Sequence, residues 1–200
     1  LCMFFIPLVT FAGNMKLHYD RPAEYFEEAL VIGNGTMGAT LYGGVKKDKI
    51  SFNDITLWTG EPESENSSPD AFNVIPEIRA LLDNEDYQGA DKAQYKVQGH
   101  YSENYQPLGT LTIEYLDDTA GISDYHRWLD IGNATARTQY LKDGKLFTSD
   151  YFASAPDSVI VIRLKSENKE GIHALLSFDS PLPHSSLVAD NEISVEGYAA

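Results

Sequence analysis

Asp143-Gly144 divides the stretch "ARTQYLKDGKLFTSDYFAS" into two β-prone halves, and this dipeptide constrains the chain more than any other short feature. Aspartate and glycine accept the positive φ angles that a two-residue hairpin turn requires, so the halves are expected to pair as antiparallel neighbours. Downstream, "SVIVIRLKS" is dense in β-branched residues from Val159 to Leu164 and reads as a central strand of a sandwich. Leu111–Tyr115, followed by a turn at Asp117-Asp118, reads as another strand, and "IHALLSFD" and "NEISVEGYA" as two more. From Lys16 to Asn53 the chain reads as short strands and turns, with Thr40–Tyr42 and Ile50–Phe52 joined by a polar turn at Lys46–Lys49. Pro62 to Asp70 is a polar loop. Helical spacing recurs in one place. Ile75, Ile78, Leu81 and Leu82, then Tyr87, Ala90 and Tyr95 beyond a break at Asp83-Asn84, predict two short amphipathic helices near residues 73–98. Many short strands with one helical insertion predict a mainly all-β fold, an antiparallel β-sandwich.

The stretch "VIGNGTMGAT" carries G-x-G-x-x-G through Gly33, Gly35 and Gly38. That spacing signals a dinucleotide only between a strand and a helix, whose N-terminus and loop amides hold the pyrophosphate. Here Leu41, Gly43 and Val45 make no helical stripe, and two adjacent glycines would cost a helix about 1 kcal/mol each. The motif is read as glycines serving tight turns and close backbone approach within β-structure.

The 15 basic against 30 acidic residues give a net charge of -15, a field that repels phosphate backbones and makes nucleic acid an unsuitable partner. With 42% hydrophobic residues the chain has enough apolar surface to build a core, unlike a disordered acidic tail. No apolar run reaches the ~18 residues a membrane span needs. The chain starts with Leu, so the reading frame is expected to begin upstream. "LCMFFIPLVTFAGN" then reads as the apolar core of a secretory signal, residues 1–12, with Thr10 and Ala12 as the small residues before a cut at Gly13. Cys2, the single cysteine, would leave with it, so a mature exported chain would hold no disulfide.

His18, His100, His126, His173 and His184 fall at no metal-ligand spacing and have no cysteine to join them, so no metal and no cofactor is expected. No G-x-S-x-G elbow is present. The adjacent carboxylates Glu27-Glu28 and Asp117-Asp118 could serve a glycosidase, but such pairs more often form solvated turns or caps. "SFNDITLWTGEP" is more specific. A tryptophan bounded by polar groups, Trp58, can stack on the apolar face of a sugar ring, or can plug a sandwich edge with its indole N–H on a carbonyl. In "NYQPLGTLTIEY", Gln106-Pro107 makes an extended entry into a strand.

Taken in order, "LHYDRPAEYFEEALVIGNGTMGATLYGGV", "ISFNDITLWTGEP", "YQPLGTLTIEY", "YHRWLDIGNATARTQY" and "SDYFASAPDSVIVIRL" resemble the N-terminal domain of the α-L-fucosidases of glycoside hydrolase family 95. "SPLPHS", Ser180 to Ser185, is similar to a later segment of that domain. The likeness runs from about Lys16 to the last residue. Val31 stands where the family usually has proline, Thr36-Met37 where it has a basic-aliphatic pair, Asp54-Ile55 where it has an acidic pair, and Thr110 where it has aspartate.

The resemblance implies a large exported enzyme, periplasmic or extracellular, that removes terminal α-L-fucose, or α-L-galactose, from glycans with inversion. Its catalytic groups would lie in an (α/α)6 barrel beyond the sandwich, so no catalytic residue is expected here, and residues 15–200 would be an N-terminal sandwich incomplete at its C-terminal end. Asn53, Asp54 and Trp58 are then candidates for a substrate cleft or a junction with that barrel, the domain's expected partner beside the glycan. The rival readings are a free-standing carbohydrate-binding module and a structural domain without a ligand. Helical, Trp- and Glu-rich sequence after Ala200 would favour the enzyme, and a nearby stop codon the module.

Overall fold

The computed structural model describes residues 15–60, 70–99 and 103–199. The apolar segment read as an export signal, residues 61–69 of the polar loop, and His100 lie outside the described residues. The chain divides into two compact units, one formed by the residues up to Leu57 together with those from Gln106 onward, the other by Trp58–Tyr105.

The first unit is a β-sandwich. One five-stranded sheet has the order β1-β6-β7-β8-β9, from Lys16–Tyr19 (β1), Ile122–Asp130 (β6), Thr135–Lys142 (β7), Lys145–Ser154 (β8) and Val159–Ser166 (β9). The second has the order β10-β5-β4-β3-β2, from Leu30–Gly33 (β2), Met37–Leu41 (β3), Lys47–Asp54 (β4), Gly109–Tyr115 (β5) and Ala174–Asp179 (β10). His184–Ala189 (β11) and Glu192–Gly197 (β12) form a separate hairpin. Neighbouring strands pair antiparallel throughout.

The Asp143-Gly144 expectation holds. Asp143 at φ 50° and Gly144 at φ 73° form the turn between β7 and β8, and both positive angles match the right-handed twist of the flanking strands. The register Tyr140↔Phe147 and Ala136↔Tyr151 then puts these four side chains on the same buried face. Facing them from the second sheet are Leu30, Ile32, Ala39, Leu41, Ile50 and Ile113, all nearly inaccessible. The G-x-G-x-x-G stretch is a hairpin. Gly33 ends β2, Gly38 lies opposite it in β3, and Gly35 makes the turn at φ 95°.

Two strand expectations are corrected. The run Lys46–Lys49 is not the turn: Lys47, Asp48 and Lys49 open β4, and the connection from β3 comes earlier. The lysines face solvent while Asp48 alternates inward and is 1% exposed, so a run of charges that read as solvated hides a core position. Val159–Leu164 is a strand, but β9 lies at the edge of its sheet, not the centre. Val159, Arg163 and Lys165 are exposed while Ile160, Ile162 and Leu164 pack on the core, so one buried face suffices to explain its apolar density. Strands β6 and β11 carry weak local signals. In β6 a bulge between Ser123 and His126, with Asp124 at φ 52°, breaks the two-residue alternation. In β11 every residue is exposed, so no alternation marks it.

The second unit contains the expected helix pair, Ala71–Asp83 (α1) and Tyr87–Gln94 (α2), followed by a 3-10 turn over Tyr95–Val97. The Asp86 carboxylate accepts from the Gly89 amide at 2.9 Å and caps α2. Ala90 and Ala93 are its buried face.

Candidate functional site

Asn53 and Asp54 end β4 in the sandwich unit, whereas Trp58 belongs to the helical unit. Asn53 accepts a hydrogen bond from the Leu108 amide at 3.2 Å, which fastens β4 to the Gln106-Pro107 entry into β5. It lies on the outer side of the sheet, in a shallow groove of roughly 470 Å³ shared with Val31, Thr40, Ser51, Thr110 and Pro181. Ser51 and Thr110 hydroxyls meet there at 3.1 Å. The Thr40 hydroxyl is buried without a hydrogen-bond partner among the described residues. Asp54 bonds locally: its carboxylate accepts from both the hydroxyl and the amide of Thr56. The Thr56 hydroxyl, then its amide, hold the Asp54 carboxyl below the usual carboxylate range, which suits a turn anchor and not a proton donor.

Trp58 bridges to Tyr105 in antiparallel fashion, and the two rings meet edge to face with centroids 5.3 Å apart. The Thr59 amide donates to the Asn104 carbonyl at 2.9 Å, and the Asn104 amide donates to the Thr59 hydroxyl at 3.0 Å. These contacts close the base of the helical unit. Trp58 remains 49% exposed, so no core encloses it.

The acidic pairs nominated from sequence are engaged locally. Glu28 follows Glu27 in a 3-10 turn and accepts from Arg21 at 2.7 Å and from the Glu24 amide at 3.0 Å. Asp118 takes Lys142 at 2.9 Å, and Asp117 stands 3.7 Å from His173. Among the described residues, no group of three or more His, Cys, Asp or Glu side chains gathers as a metal site.

The sequence reading missed two buried ionisable side chains. Asp48, inside the sandwich, accepts from Tyr151 at 2.7 Å and from the Gly44 amide at 2.9 Å. Arg127, 1% exposed, donates to the carbonyls of Arg21 at 2.7 Å and Glu28 at 2.8 Å, and lies 4.2 Å over the Tyr19 ring. Neither has a motif around it, because each meets partners about a hundred residues away: Tyr151 for Asp48, Arg21 and Glu28 for Arg127.

The described chain is a mainly antiparallel β-domain with a helical unit inserted in the sequence between β4 and β5. The family model described as "Glycosyl hydrolase family 65, N-terminal domain" matches residues 17–200, and the chain belongs to that family. It is 33% identical over 174 residues to "Alpha-L-fucosidase 2" of Arabidopsis thaliana, covering 86% of this chain and 20% of that protein. It is 30% identical over 179 residues to "Probable alpha-fucosidase A" of Aspergillus niger (strain ATCC MYA-4892 / CBS 513.88 / FGSC A1513), covering 84% of this chain and 22% of that protein. The chain therefore spans about a fifth of the length of the curated relatives it matches.

Proposed function

We propose that this chain is the N-terminal sandwich of an exported α-L-fucosidase-like enzyme of glycoside hydrolase family 95, which removes terminal α-L-fucose, or α-L-galactose, from glycans with inversion. The observation that carries this reading is the 33% identity to a protein named as an alpha-L-fucosidase, over 86% of the chain. The ordered motifs from Leu17 to Leu164 are part of the same likeness. Catalysis falls to an (α/α)6 barrel in the rest of the protein, where two carboxyl sites ~6.5–9.5 Å apart would hold the attacking water between them. The chemistry of the sandwich fits an ancillary role. Asp48, whose carboxyl burial pushes up as a general acid requires, is sealed in the core and cannot touch a substrate. Asp54 is held low by Thr56. The apolar segment Leu1–Phe11 supports export to the periplasm or outside the cell.

The test compares residues 15–200 with the full-length protein on an aryl α-L-fucoside. Hydrolysis by the full-length protein alone is expected. Turnover by the isolated sandwich that survives repurification would overturn the assignment. The half-exposed Trp58 keeps the carbohydrate-binding module as a second reading. Full-length protein that binds fucosylated glycan but never hydrolyses it would favour that reading.

A further inference from the structure

Where the turns after β5 and β7 meet the connection from β9 to β10, the sheets part around a cleft of roughly 290 Å³. That volume lies near the lower end of the ~300–1,000 Å³ typical of small-molecule sites, so it suits one small ring better than a chain of them. Its floor is aromatic. Tyr140 and Phe147 stack with centroids 4.8 Å apart, and Tyr115 meets Phe147 edge-on at 5.3 Å.

Tyr140 is 5% exposed, yet its hydroxyl makes no hydrogen bond to the described residues, although it lines the cleft. Buried polar groups in folded proteins are almost always paired, because an unmade hydrogen bond forfeits the hydration that burial removed. The hydroxyl itself is not sealed in the core but opens into the cleft, so its partner there is water or a ligand that displaces it.

The rim says what kind of molecule suits the place of that water. Lys142 is already engaged by Asp118 at 2.9 Å, with Asp143 at 3.7 Å and the Ala120 carbonyl close by. Lys145 reaches the Asn168 side-chain oxygen at 3.3 Å. The Glu170 carboxylate has no such partner among the described residues. An anion entering here would meet Asp117, Asp118, Asp143 and Glu170. A cation would meet two lysines, one already neutralising two of those carboxylates. What the cleft offers is a mixture: free acceptors, a hydroxyl that both donates and accepts, an ammonium donor, and an apolar floor. A neutral sugar ring, with hydroxyls of both roles and an apolar C–H face, matches that mixture.

We propose that this cleft is a binding site for a single neutral sugar residue, anchored by the Tyr140 hydroxyl and the Glu170 carboxylate. The site goes beyond the enzymatic reading, which places the reacting sugar in a different domain, and it draws on that reading only for which sugars to try first.

The test titrates the full 200-residue chain with L-fucose, L-galactose and D-glucose, following amide and aromatic NMR signals. Saturable binding in the millimolar range is expected for at least one sugar, with shifts at Tyr140, Phe147 and Ile122. Tyr140→Phe, which keeps the ring, is expected to weaken binding roughly fivefold, the worth of one hydrogen bond, with no loss of thermal midpoint. Glu170→Gln, at an exposed position, is expected to weaken it as well, and guards against a folding effect of the first variant. The proposal is overturned if no sugar saturates the site, if Tyr140→Phe leaves affinity unchanged, or if putrescine or inorganic phosphate shifts these signals while sugars do not. Because hydrolysis is never measured, an inactive full-length protein would sink the fucosidase reading and leave this result standing.

Discussion

The hydroxyl of Tyr151 donates to Oδ2 of Asp48 across 2.7 Å, tying β8 of one sheet to β4 of the other within the sealed core. The other oxygen of Asp48 accepts from the Gly44 amide at 2.9 Å, so the same carboxyl also pins the connection between β3 and β4. Removing the donor while leaving the acceptor buried is the costly half of a hydrogen-bond deletion. We expect Tyr151→Phe to destabilise the chain by about 1–3 kcal/mol. Urea denaturation checks this, with the midpoint falling and the slope unchanged.

The same carboxyl makes stability depend on pH in an unusual direction. Burial pushes the pKa of Asp48 up, against the Tyr151 hydroxyl and the amides of Gly44, Gly43 and Lys49, which favour the ionised form. A carboxyl with a raised folded pKa binds its proton more tightly in the native state. Its contribution is complete below the unfolded pKa of about 3.9 and is lost as pH rises through the folded value. Asp48→Asn removes that titration. The stability of the wild type relative to Asp48→Asn should therefore decline as pH rises from the unfolded pKa towards neutrality, measured as urea midpoints of both proteins. A difference independent of pH would mean the fold does not raise this pKa.

On the outer face, Asp150 shows the opposite sign. Burial would raise its pKa, but Arg137 and Arg163 from the two neighbouring strands, both hydrogen-bonded to it, bring it below the usual carboxylate range. Its contribution is present above an unfolded pKa of about 3.9 and is lost as pH falls through the folded value. Since both arginines are substantially exposed, Asp150→Asn should cost only about 0.5–1 kcal/mol at neutral pH. The loss should shrink in high salt, which thermal melts at two ionic strengths will show.

Arg127 holds the segment before β2 against β6 through the carbonyls of Arg21 and Glu28. Arg127→Met keeps the length of the side chain but leaves both carbonyls without their donor. A loss of about 2–4 kcal/mol is expected, two deletions of a charged donor at the lower end of their range. Arg127→Lys should recover little of it, because one ammonium cannot reproduce the planar fork or its stacking on Tyr19. Chemical denaturation of both variants tests the ranking.

Trp58 tests the domain-junction role. With about half its surface exposed, Trp58→Ala should cost far less than the 3–5 kcal/mol of a buried aromatic-to-alanine change. If Trp58 lines a substrate cleft closed by the rest of the protein, the full-length variant is expected to show a lower kcat/KM, because the substrate loses its positioning. Denaturant melts of the sandwich beside kinetics of the full-length variant separate the two. A large stability loss would make Trp58 a packing residue without a functional role.

The local signals were legible because they are local. Asp143-Gly144 specifies its turn through the φ angles of two residues, and the helix pair announces itself through spacing within single turns. The sandwich class follows from many such strands, and the glycosyl hydrolase N-terminal family match extends over residues 17–200 and not over one motif. What no stretch of sequence contains is the order of strands across a sheet. That order puts the apolar Val159–Leu164 run at an edge, sinks Asp48 out of a charged run into the core beside Tyr151, and buries Arg127 against carbonyls a hundred residues away. It also brings Tyr140 from β7, Asp117 from the connection after β5 and Glu170 from the connection after β9 around one cleft. Alternation along a strand tells which residues share a face. Only the pairing and stacking of strands decides what covers that face, and whether a polar group upon it meets a partner, water or a ligand.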